Sequence, residues 1–485
     1  MNAPLRRLSV AVMLLFGLLL LNANYLQVVR AEDLHNDSNN PRLIAEEYSR
    51  ERGPILVGGE PVARSVETDD QLKYLRQYPG GQVYAPATGF YSLVYGASGI
   101  ELESNSILSG TDDSLFVRRV IDLLTGTPPK GGSVALTLNP AAQKAAWDGL
   151  RKLGARGSVV AIDPSTGAIL AMVSSPSYDP DALSSHRPSE VRAAYDRLSS
   201  ANGRPMLNRA LRETYPPGST FKIVTAAAAL ESGQYGPDSQ VDNAAELDLP
   251  LTDATLPNFD GAPCSSAGRA TLTDALKRSC NAAFGQIGLD LGAQALREQA
   301  AKFGFNDAFE VPMRSVASRF PEDLDEPQTA QSAIGQFDVR ATPLQMAMVA
   351  AAVANRGVLM SPYLVQEVRA PDLSVLDSTR PKELSTAVSP QTAATLAQML
   401  TQVVDAGTGT NAQIEGVKVA GKTGTAQQGD DRKPHAWFVS FAPSDTDARV
   451  AVAVVVEEGA DQAEVSGNQL AAPIARDVMR AVLNR

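Results

Sequence analysis

A serine and a lysine one helical turn apart give the sequence its most specific chemical signal. Ser219 and Lys222 stand in the segment YPPGSTFK, where Pro-Pro-Gly precedes a strongly helix-forming stretch. Residues three apart share one face of a helix, so the lysine amine can reach the serine hydroxyl. Burial lowers the pKa of a lysine, and a neutral lysine can then accept the serine proton and make the oxygen a nucleophile. An N-cap serine beside a solvated lysine is the structural alternative.

A second polar group, Ser279-Cys280-Asn281, stands between two predicted helices at 272–277 and 282–303. A loop at this position can present a hydroxyl that relays a proton and an amide that holds a substrate amide. Ser-x-Asn occurs four times in the chain, so taken alone the pattern indicates no more than a polar pair that caps the next helix.

The third group is Lys422-Thr423-Gly424-Thr425, on a strand predicted over 417–427. Two hydroxyls beside an ammonium make a site for a substrate carboxylate, and Gly424 is expected to let a ligand backbone approach the strand. The backbone N–H groups of Thr425 and Ser219 can together form an oxyanion hole. An exposed strand end is the alternative interpretation.

The elements that must position these groups are strands at both ends of a large second part, with helices between them. The pattern predicts an α+β fold in which the strands join one antiparallel sheet with helices on both faces. A polar stretch up to about residue 205 is predicted to be a loop. The predicted strands are 133–138, 158–163, 168–174, 417–427, 435–441 and 449–457, and the predicted helices are 140–153, 220–230, 272–277, 282–303, 343–355 and 472–483.

Composition excludes several classes of function. The chain has 485 residues, of which 44% are hydrophobic and 20% charged, so it is neither disordered nor a polytopic membrane protein. Its net charge of −11 argues against nucleic-acid binding, which needs clustered lysine and arginine. Three histidines and two cysteines, widely scattered, predict no metal site, and we expect no cofactor.

The N-terminus predicts a membrane anchor. Arg6 and Arg7 precede an apolar run over 8–29, which as a helix spans about 33 Å at 1.5 Å per residue. A cleaved signal peptide is the alternative, but Val29-Arg30-Ala31 matches a small-x-small cleavage site poorly. The two arginines are expected to stay cytoplasmic, which places the rest of the chain outside the cytoplasm.

The three groups occur in the order Ser-x-x-Lys, Ser-x-Asn, Lys-Thr-Gly, at intervals of 60 and 143 residues. This set is shared by penicillin-binding proteins and class A β-lactamases. Over nearly its whole length the chain resembles the class B penicillin-binding proteins, of the actinobacterial PbpA type. The further matching segments are 52–55, 95–101, 161–172, 334–336, 342–347 and 435–438.

The resemblance implies three regions and one reaction. Residues 1–30 would form a cytoplasmic tip and transmembrane helix, 31–130 a pedestal or dimerisation-like domain, and 131–485 a transpeptidase domain. The reaction would be D,D-transpeptidation of peptidoglycan, in which Ser219 attacks the bond between the last two D-Ala residues of a stem peptide. Lys222 would be the general base of acylation.

The resemblance also assigns the remaining site residues. Ser279 with Lys422 would pass a proton to the leaving amine, and Asn281 would hold the acylated peptide. Thr423 and Thr425 would bind the terminal carboxylate. β-Lactams would acylate the same serine. A membrane-embedded glycan polymerase, with division or elongation proteins, would be the partner in wall synthesis for cell division or cell shape.

Other functions on the same scaffold stay open at this point. A class A β-lactamase needs a Glu-x-x-x-Asn motif, and no glutamate from 298 to 415 has asparagine four residues later. A D,D-carboxypeptidase would differ only in its acceptor, and a non-catalytic β-lactam or muropeptide sensor would not need intact lysines. Cys264 and Cys280, the only cysteines, are hypothesised to form a disulfide outside the cytoplasm, with two unpaired thiols as the alternative.

Overall fold

A computed structural model describes residues 2–29, 47–116, 121, 124–126, 128–427, 432–461 and 465–484. The chain begins with helix Asn2–Asn24, which continues as a π-helical turn, Tyr25–Val29. The span Pro4–Gln27 contains an 18-residue window with a mean hydropathy of 1.9 and is long and apolar enough to cross a membrane. The expected apolar span is therefore present as a helix. Arg30 and Ala31 of the candidate cleavage site lie outside the described residues.

The larger part of the chain is built on a five-stranded sheet in which every neighbouring pair is antiparallel. The predicted hairpin of residues 158–174 is confirmed, because its two strands pair directly across the turn at 163–168. The last two strands of the chain begin and end within one residue of their predicted bounds. The spatial order of the strands is Ala420–Ala426, His435–Ala442, Val450–Val456, Gly157–Ile162 and Ile169–Ser175.

Helices cover both faces of this sheet, as expected for the α+β class. Alternate residues of one strand point to opposite faces, so Val159 packs with the helices Pro140–Leu153 and Ala472–Leu483. Val160 packs on the other side, in the core that contains helix Pro343–Ala354. All seven residues of Val450–Val456 are buried, which explains its uninterrupted run of valine and alanine.

The prediction of a single sheet is wrong. Strand Ser133–Leu136 joins a separate six-stranded sheet, where it pairs in parallel with Ile55–Val57 and antiparallel with Val365–Arg369. Its alternation of residues suits either sheet, and both of its partners are remote in the chain, so the local sequence could not choose between them. The order of this sheet is Val375–Ser378, Val365–Arg369, Ser133–Leu136, Ile55–Val57, Glu60–Glu67 and Tyr74–Gln77.

The predicted loop before residue 205 is also wrong, because it contains helices Asp181–Ser184 and Pro188–Ser199. Pro188 occupies the first turn of the second helix, where its missing N–H costs no hydrogen bond. Burial of Val191 and Ala194 then stabilises the helix against the rest of the fold. Serine and proline, which favour loops in general, mark the ends of helices here.

Further helices and short strands surround the two sheets. The other helices are Gly81–Thr88, Gly99–Glu103, Asn105–Ser109, Arg209–Arg212, Lys222–Glu231, Leu272–Arg278, Asn281–Lys302, Glu326–Ala333, Pro390–Ala406 and Gly467–Leu470. Short strands pair two by two: Tyr91–Ser92 with Gly96–Ala97, Gln240–Val241 with Ala270–Thr271, Glu246–Asp248 with Thr255–Pro257, and Val358–Met360 with Glu383–Thr386.

Candidate active site

Ser219 lies in a 3-10 turn, Gly218–Phe221, immediately before helix Lys222–Glu231. The helix therefore begins at Lys222, two residues later than the predicted start at Thr220. Gly218 has φ of 54°, and its N–H donates to the Gly335 carbonyl at 2.9 Å. A Cβ at Gly218 would lie 3.0 Å from the carbonyl oxygen of Thr425. The turn is thus held tightly between a loop and the edge strand of the sheet.

Lys222 is completely buried. Its Nζ donates to the carbonyl oxygen of Ser279 at 2.6 Å and to Oδ1 of Asn281 at 2.8 Å. Burial, and then the nearby charge of Lys422, hold the pKa of this amine well below its usual range. These surroundings shift Lys222 toward the neutral amine, which is the form that a general base requires.

Lys422, on the edge strand of the sheet, contacts Ser279 as well. Its Nζ donates to Oγ of Ser279 at 2.7 Å and to the carbonyl oxygen of Thr423 at 2.9 Å. Burial lowers the pKa of Lys422 to about 7. Ser279 ends helix Leu272–Arg278 in the left-handed conformation, φ of 67°, and this turns its hydroxyl toward both amines. Nζ of Lys222 lies 3.5 Å from that hydroxyl, so Ser279 bridges the two lysines.

The Ser219 hydroxyl makes no hydrogen bond to any residue in the described ranges, Lys222 included. The expected base–nucleophile contact is therefore not closed in this structure. Catalytic hydrogen bonds are often long without substrate and tighten when it binds. Lys222 is fully buried and contacts Ser279 and Asn281. Ser219 is partly exposed and lines the cleft together with those two residues.

The Lys-Thr-Gly group lies inside strand Ala420–Ala426 rather than at a strand end. Thr423 and Thr425 both line the cleft, as a carboxylate site requires. The structure adds a second reason for glycine at position 424, because a Cβ there would meet the Pro217 carbonyl and the Thr220 methyl, each at 3.0 Å. Gly424 therefore lets the strand approach the serine turn closely, and its expected contact with a ligand backbone stays a prediction.

A loop that is joined by a disulfide to the Ser279-Cys280-Asn281 group holds this group in place. Cys264 and Cys280 are joined as a disulfide, with their Cα atoms 5.7 Å apart. In the same loop, Oδ1 of Asn258 accepts hydrogen bonds from the N–H groups of Asn281 at 2.7 Å and Ala282 at 3.0 Å. Nδ2 of Asn281 donates back to the Pro257 carbonyl at 2.9 Å. The loop therefore fixes the start of helix Asn281–Lys302 and the amide of Asn281.

Sequence reasoning missed two polar residues of this site. Oγ1 of Thr408 lies 2.7 Å from Oγ1 of Thr423 and so orients one of the two candidate carboxylate ligands. Asn258 caps the helix that begins at Asn281. Neither residue stands at a diagnostic spacing from the three groups, because the folded chain, not the local sequence, brings each of them to the site. In the described residues, no group of three or more His, Cys, Asp or Glu could hold a metal ion.

Together these residues form a cleft of about 790 Å³ with Ser219 in its wall. The serine turn and the strand of Thr425 pack against each other in its wall, and two lysines share one hydroxyl at its base. Such an arrangement can perform acyl transfer to serine with proton relay to a leaving amine. Other lining residues include Phe259, Arg278, Gln336, Phe337, Gln427, Lys433 and Asn468.

Comparison with known protein families agrees with this chemistry. Residues 157–480 match the penicillin binding protein transpeptidase domain, and residues 52–134 match the penicillin binding protein A dimerisation domain. The chain is 46% identical over 490 residues to the peptidoglycan D,D-transpeptidase PbpA of Mycolicibacterium smegmatis, covering all of this chain and 99% of that protein. The same identity and coverage relate it to PbpA of Mycobacterium tuberculosis.

Solved structures give the same relationship. Penicillin-binding protein A of M. tuberculosis, as its ceftriaxone acyl-enzyme complex, superposes with a TM-score of 0.88 at 44% identity, covering 90% of this chain and all of that one. Its penicillin G acyl-enzyme complex gives a TM-score of 0.86 at the same identity and coverage.

Proposed function

The chain belongs to the class B penicillin-binding proteins of the PbpA type, and from that premise we propose how its own residues carry out the reaction. The protein is a serine-type peptidoglycan D,D-transpeptidase that β-lactams acylate. The relationship favours this activity over the D,D-carboxypeptidase and the non-catalytic sensor.

In the proposed acylation step, neutral Lys222 takes the proton of Ser219 as Oγ attacks the penultimate D-Ala carbonyl. The tetrahedral oxyanion accepts hydrogen bonds from the backbone N–H groups of Ser219 and Thr425. Support comes from the burial of Lys222, which lowers its pKa, and from the close approach of the serine turn to the Thr425 strand.

Collapse of this intermediate breaks the C–N bond and needs a proton on the leaving D-Ala amine. Charged Lys422 supplies this proton through the Ser279 hydroxyl. The proton that Lys222 took from Ser219 then passes to the Ser279 hydroxyl, 3.5 Å from Lys222 Nζ, and on to Lys422, which restores both lysines to their starting states. Thr423 and Thr425 bind the D-Ala carboxylate, and Asn281 holds the acylated peptide. An amine of a neighbouring stem then attacks the ester, and the same groups act in reverse.

One observation carries this assignment: a single hydroxyl, Ser279 Oγ, lies within reach of two fully buried lysines at the base of the cleft that Ser219 lines. Two adjacent ammonium groups cannot both stay charged in a buried site, so one lysine is a base and the other an acid. That division of labour is what acyl transfer to an amine requires.

The direct test is mass spectrometry of the protein after treatment with penicillin G. We expect one adduct with the mass of the intact drug, mapped to the peptide that contains Ser219 and lost very slowly. Ser219→Ala should form no adduct at an unchanged unfolding temperature. An adduct on another residue would refute the assignment, and rapid release of hydrolysed penicillin would indicate a β-lactamase.

We further propose that the first helix is a single-pass anchor with Arg6 and Arg7 on the cytoplasmic side and the transpeptidase domain, residues 131–485, outside. Residues 31–130 would then stand next to the membrane and contact a membrane-embedded glycan polymerase, with division or elongation proteins. The apolar Pro4–Gln27 span and the positive charge before it support this arrangement. Protection of the domain from protease added to wall-free cells would contradict it.

A further inference from the structure

The serine turn is preceded by a segment that offers few backbone hydrogen bonds. Residues 215–217, Tyr-Pro-Pro, here called the Pro-Pro segment, lead directly into Gly218 and Ser219. The two prolines have no N–H and can donate no backbone hydrogen bond. The position of Ser219 therefore depends on how the carbonyl oxygens and the tyrosine of this segment are held.

Two neighbours hold the Pro-Pro segment through its backbone. Tyr215 and Ala341 exchange two hydrogen bonds from N–H to carbonyl oxygen, of 2.9 and 2.8 Å. The carbonyl oxygen of Pro216 accepts from Nε1 of Trp437, on strand His435–Ala442, at 3.0 Å. These contacts set the path of the segment, and all of them join neutral groups.

A charged group holds the start of the segment. Oη of Tyr215, a residue that is only 3% exposed, donates to Oε1 of Glu457 at 2.7 Å. Burial raises the pKa of the tyrosine, so its hydroxyl keeps the proton that it donates. A hydrogen bond to an ionised carboxylate is stronger than one between neutral groups. The carboxylate of Glu457 is therefore a strong anchor for the start of the Pro-Pro segment.

Glu457 is itself fixed to the end of the sheet. It follows strand Val450–Val456 directly. Its Oε1 also accepts from Nε of the buried Arg209 at 2.8 Å, and its Oε2 lies 3.3 Å from Nε of Arg156. Burial acts to raise the pKa of Glu457, but the two arginines and the tyrosine hydroxyl outweigh it and lower that pKa below its usual value. Glu457 is therefore ionised at neutral pH and presents its charge to Tyr215 at a fixed place.

Glu457 lies outside the active cleft. It lines a separate cavity of about 560 Å³, whereas Ser219 lines the cleft. Tyr215 stands four residues before Ser219, and the two prolines between them have a fixed φ, so this stretch of backbone has little freedom. A displacement of Tyr215 should therefore move the serine turn.

We propose that Glu457 is a positioning residue for acyl transfer, which acts on the nucleophile through Tyr215. The carboxylate holds the tyrosine hydroxyl, the tyrosine holds the start of the Pro-Pro segment, and the segment sets the place of Ser219 relative to its base. The local sequence gives no sign of this role, because Glu457 follows Tyr215 by 242 residues in the chain. The inference rests on the proposed function of Ser219 as the nucleophile.

The test measures the two constants of penicillin G acylation separately: the dissociation constant of the non-covalent complex, K′, and the first-order acylation rate constant, k2. Tyr215→Phe removes only the hydroxyl and leaves the ion pair of Glu457 with Arg209. Glu457→Gln keeps an oxygen acceptor but removes the charge. Glu458→Gln is the matched control, because this neighbouring glutamate lines the same cavity and pairs with Arg156 at 2.6 Å.

We expect k2 to fall about tenfold in Tyr215→Phe and in Glu457→Gln, because a small displacement of the nucleophile slows its attack. K′ should change by less than about twofold, since the candidate carboxylate ligands Thr423 and Thr425 lie on another strand. The variant with both substitutions should be no slower than the slower single variant, because both substitutions disturb the same contact. Glu458→Gln should leave both constants unchanged.

A purely structural role of Glu457 would lower the unfolding temperature and leave k2 of the folded protein unchanged. An unchanged k2 in folded Tyr215→Phe would overturn the proposal, even if Glu457→Gln does not fold. Additive losses in the double variant, or an equal loss in Glu458→Gln, would also overturn it. Failure of penicillin G to acylate Ser219 of the wild-type protein would instead refute the proposed function.

Discussion

At the scale of single residues, the site depends on two amines that share one hydroxyl. Lys222 and Lys422 are both fully buried and both reach Ser279, yet their surroundings differ. Burial lowers both pKa values, and the charge of Lys422 lowers that of Lys222 further. The difference favours Lys222 as the base and Lys422 as the acid, and no aspartate or glutamate is among the described residues that line the cleft.

This arrangement predicts an alkaline limit to acylation. Lys422 donates a proton only while charged, and its pKa is about 7, so the acylation rate should fall as pH rises through that value. In Lys422→Arg the guanidinium stays charged, and any residual acylation should lose this limit. The measurement is the second-order rate with penicillin G from pH 5 to 10. The same alkaline fall in the arginine variant would assign the limit to another group.

The sequence was sufficient for the identity of the reactive residues and insufficient for their contacts. Ser219, Lys222 and Lys422 stand out because residue type and spacing carry the chemistry. Thr408 and Asn258 do not, since each acts through a hydrogen bond across the fold. The close approach of Gly424 to the serine turn is likewise absent from the sequence, because a strand pattern does not show which turn packs against it.

At the scale of elements, the edge strand and the serine turn must approach each other closely. In Gly424→Ala the new methyl would lie 3.0 Å from the Pro217 carbonyl and from the Thr220 methyl. The strand should then move away from Ser219 and slow penicillin acylation by about 10–100-fold, as small misplacements do.

Gly236→Ala is the matched control for this substitution, because its nearest neighbour would be Ser239 Oγ at 3.9 Å. It should leave the acylation rate unchanged. A Gly424→Ala protein that acylates at the wild-type rate would show that the close approach of strand and turn is not needed.

Elements with strong local signals were predicted well, and those that depend on remote partners were not. Helix Ala472–Leu483 was predicted residue for residue, because its apolar face repeats regularly. Helix Pro390–Ala406 is an exception: no helix is predicted there, although Ser389 caps it and Pro390 opens it. Strand Ser133–Leu136 was recognised but assigned to the wrong sheet, since its partners lie in other parts of the chain.

At the scale of the whole molecule, the six-stranded sheet ties the first part of the chain to the transpeptidase domain. Three of its strands come from residues 55–77, and the other three are Ser133–Leu136, Val365–Arg369 and Val375–Ser378. Next to this sheet, the buried Glu101 accepts hydrogen bonds of 2.6 Å from both Arg52 and Arg76.

Glu101→Gln should therefore destabilise the whole protein. It removes the negative charge that lies closest to both buried guanidinium groups, and only Arg52 keeps a second ion pair, with Glu47 at 3.9 Å, so the change should cost about 3–5 kcal/mol of unfolding free energy. The measurement is thermal unfolding, with penicillin acylation as a check on the native site. Glu103→Gln, at an exposed position on the same short helix, should change stability by less than about 0.5 kcal/mol. Equal stability of the two variants would contradict the structural role of the cluster.

The proton acceptor of Ser219 is the centre of this account, and it can be tested directly by the acylation rate of Lys222→Ala with penicillin G. We predict a loss of about 10³-fold or more, since a nucleophile and its base act as one unit. Lys144→Ala, which removes an exposed lysine remote from the cleft, should react normally. A folded Lys222→Ala protein that acylates at nearly the wild-type rate would contradict the account.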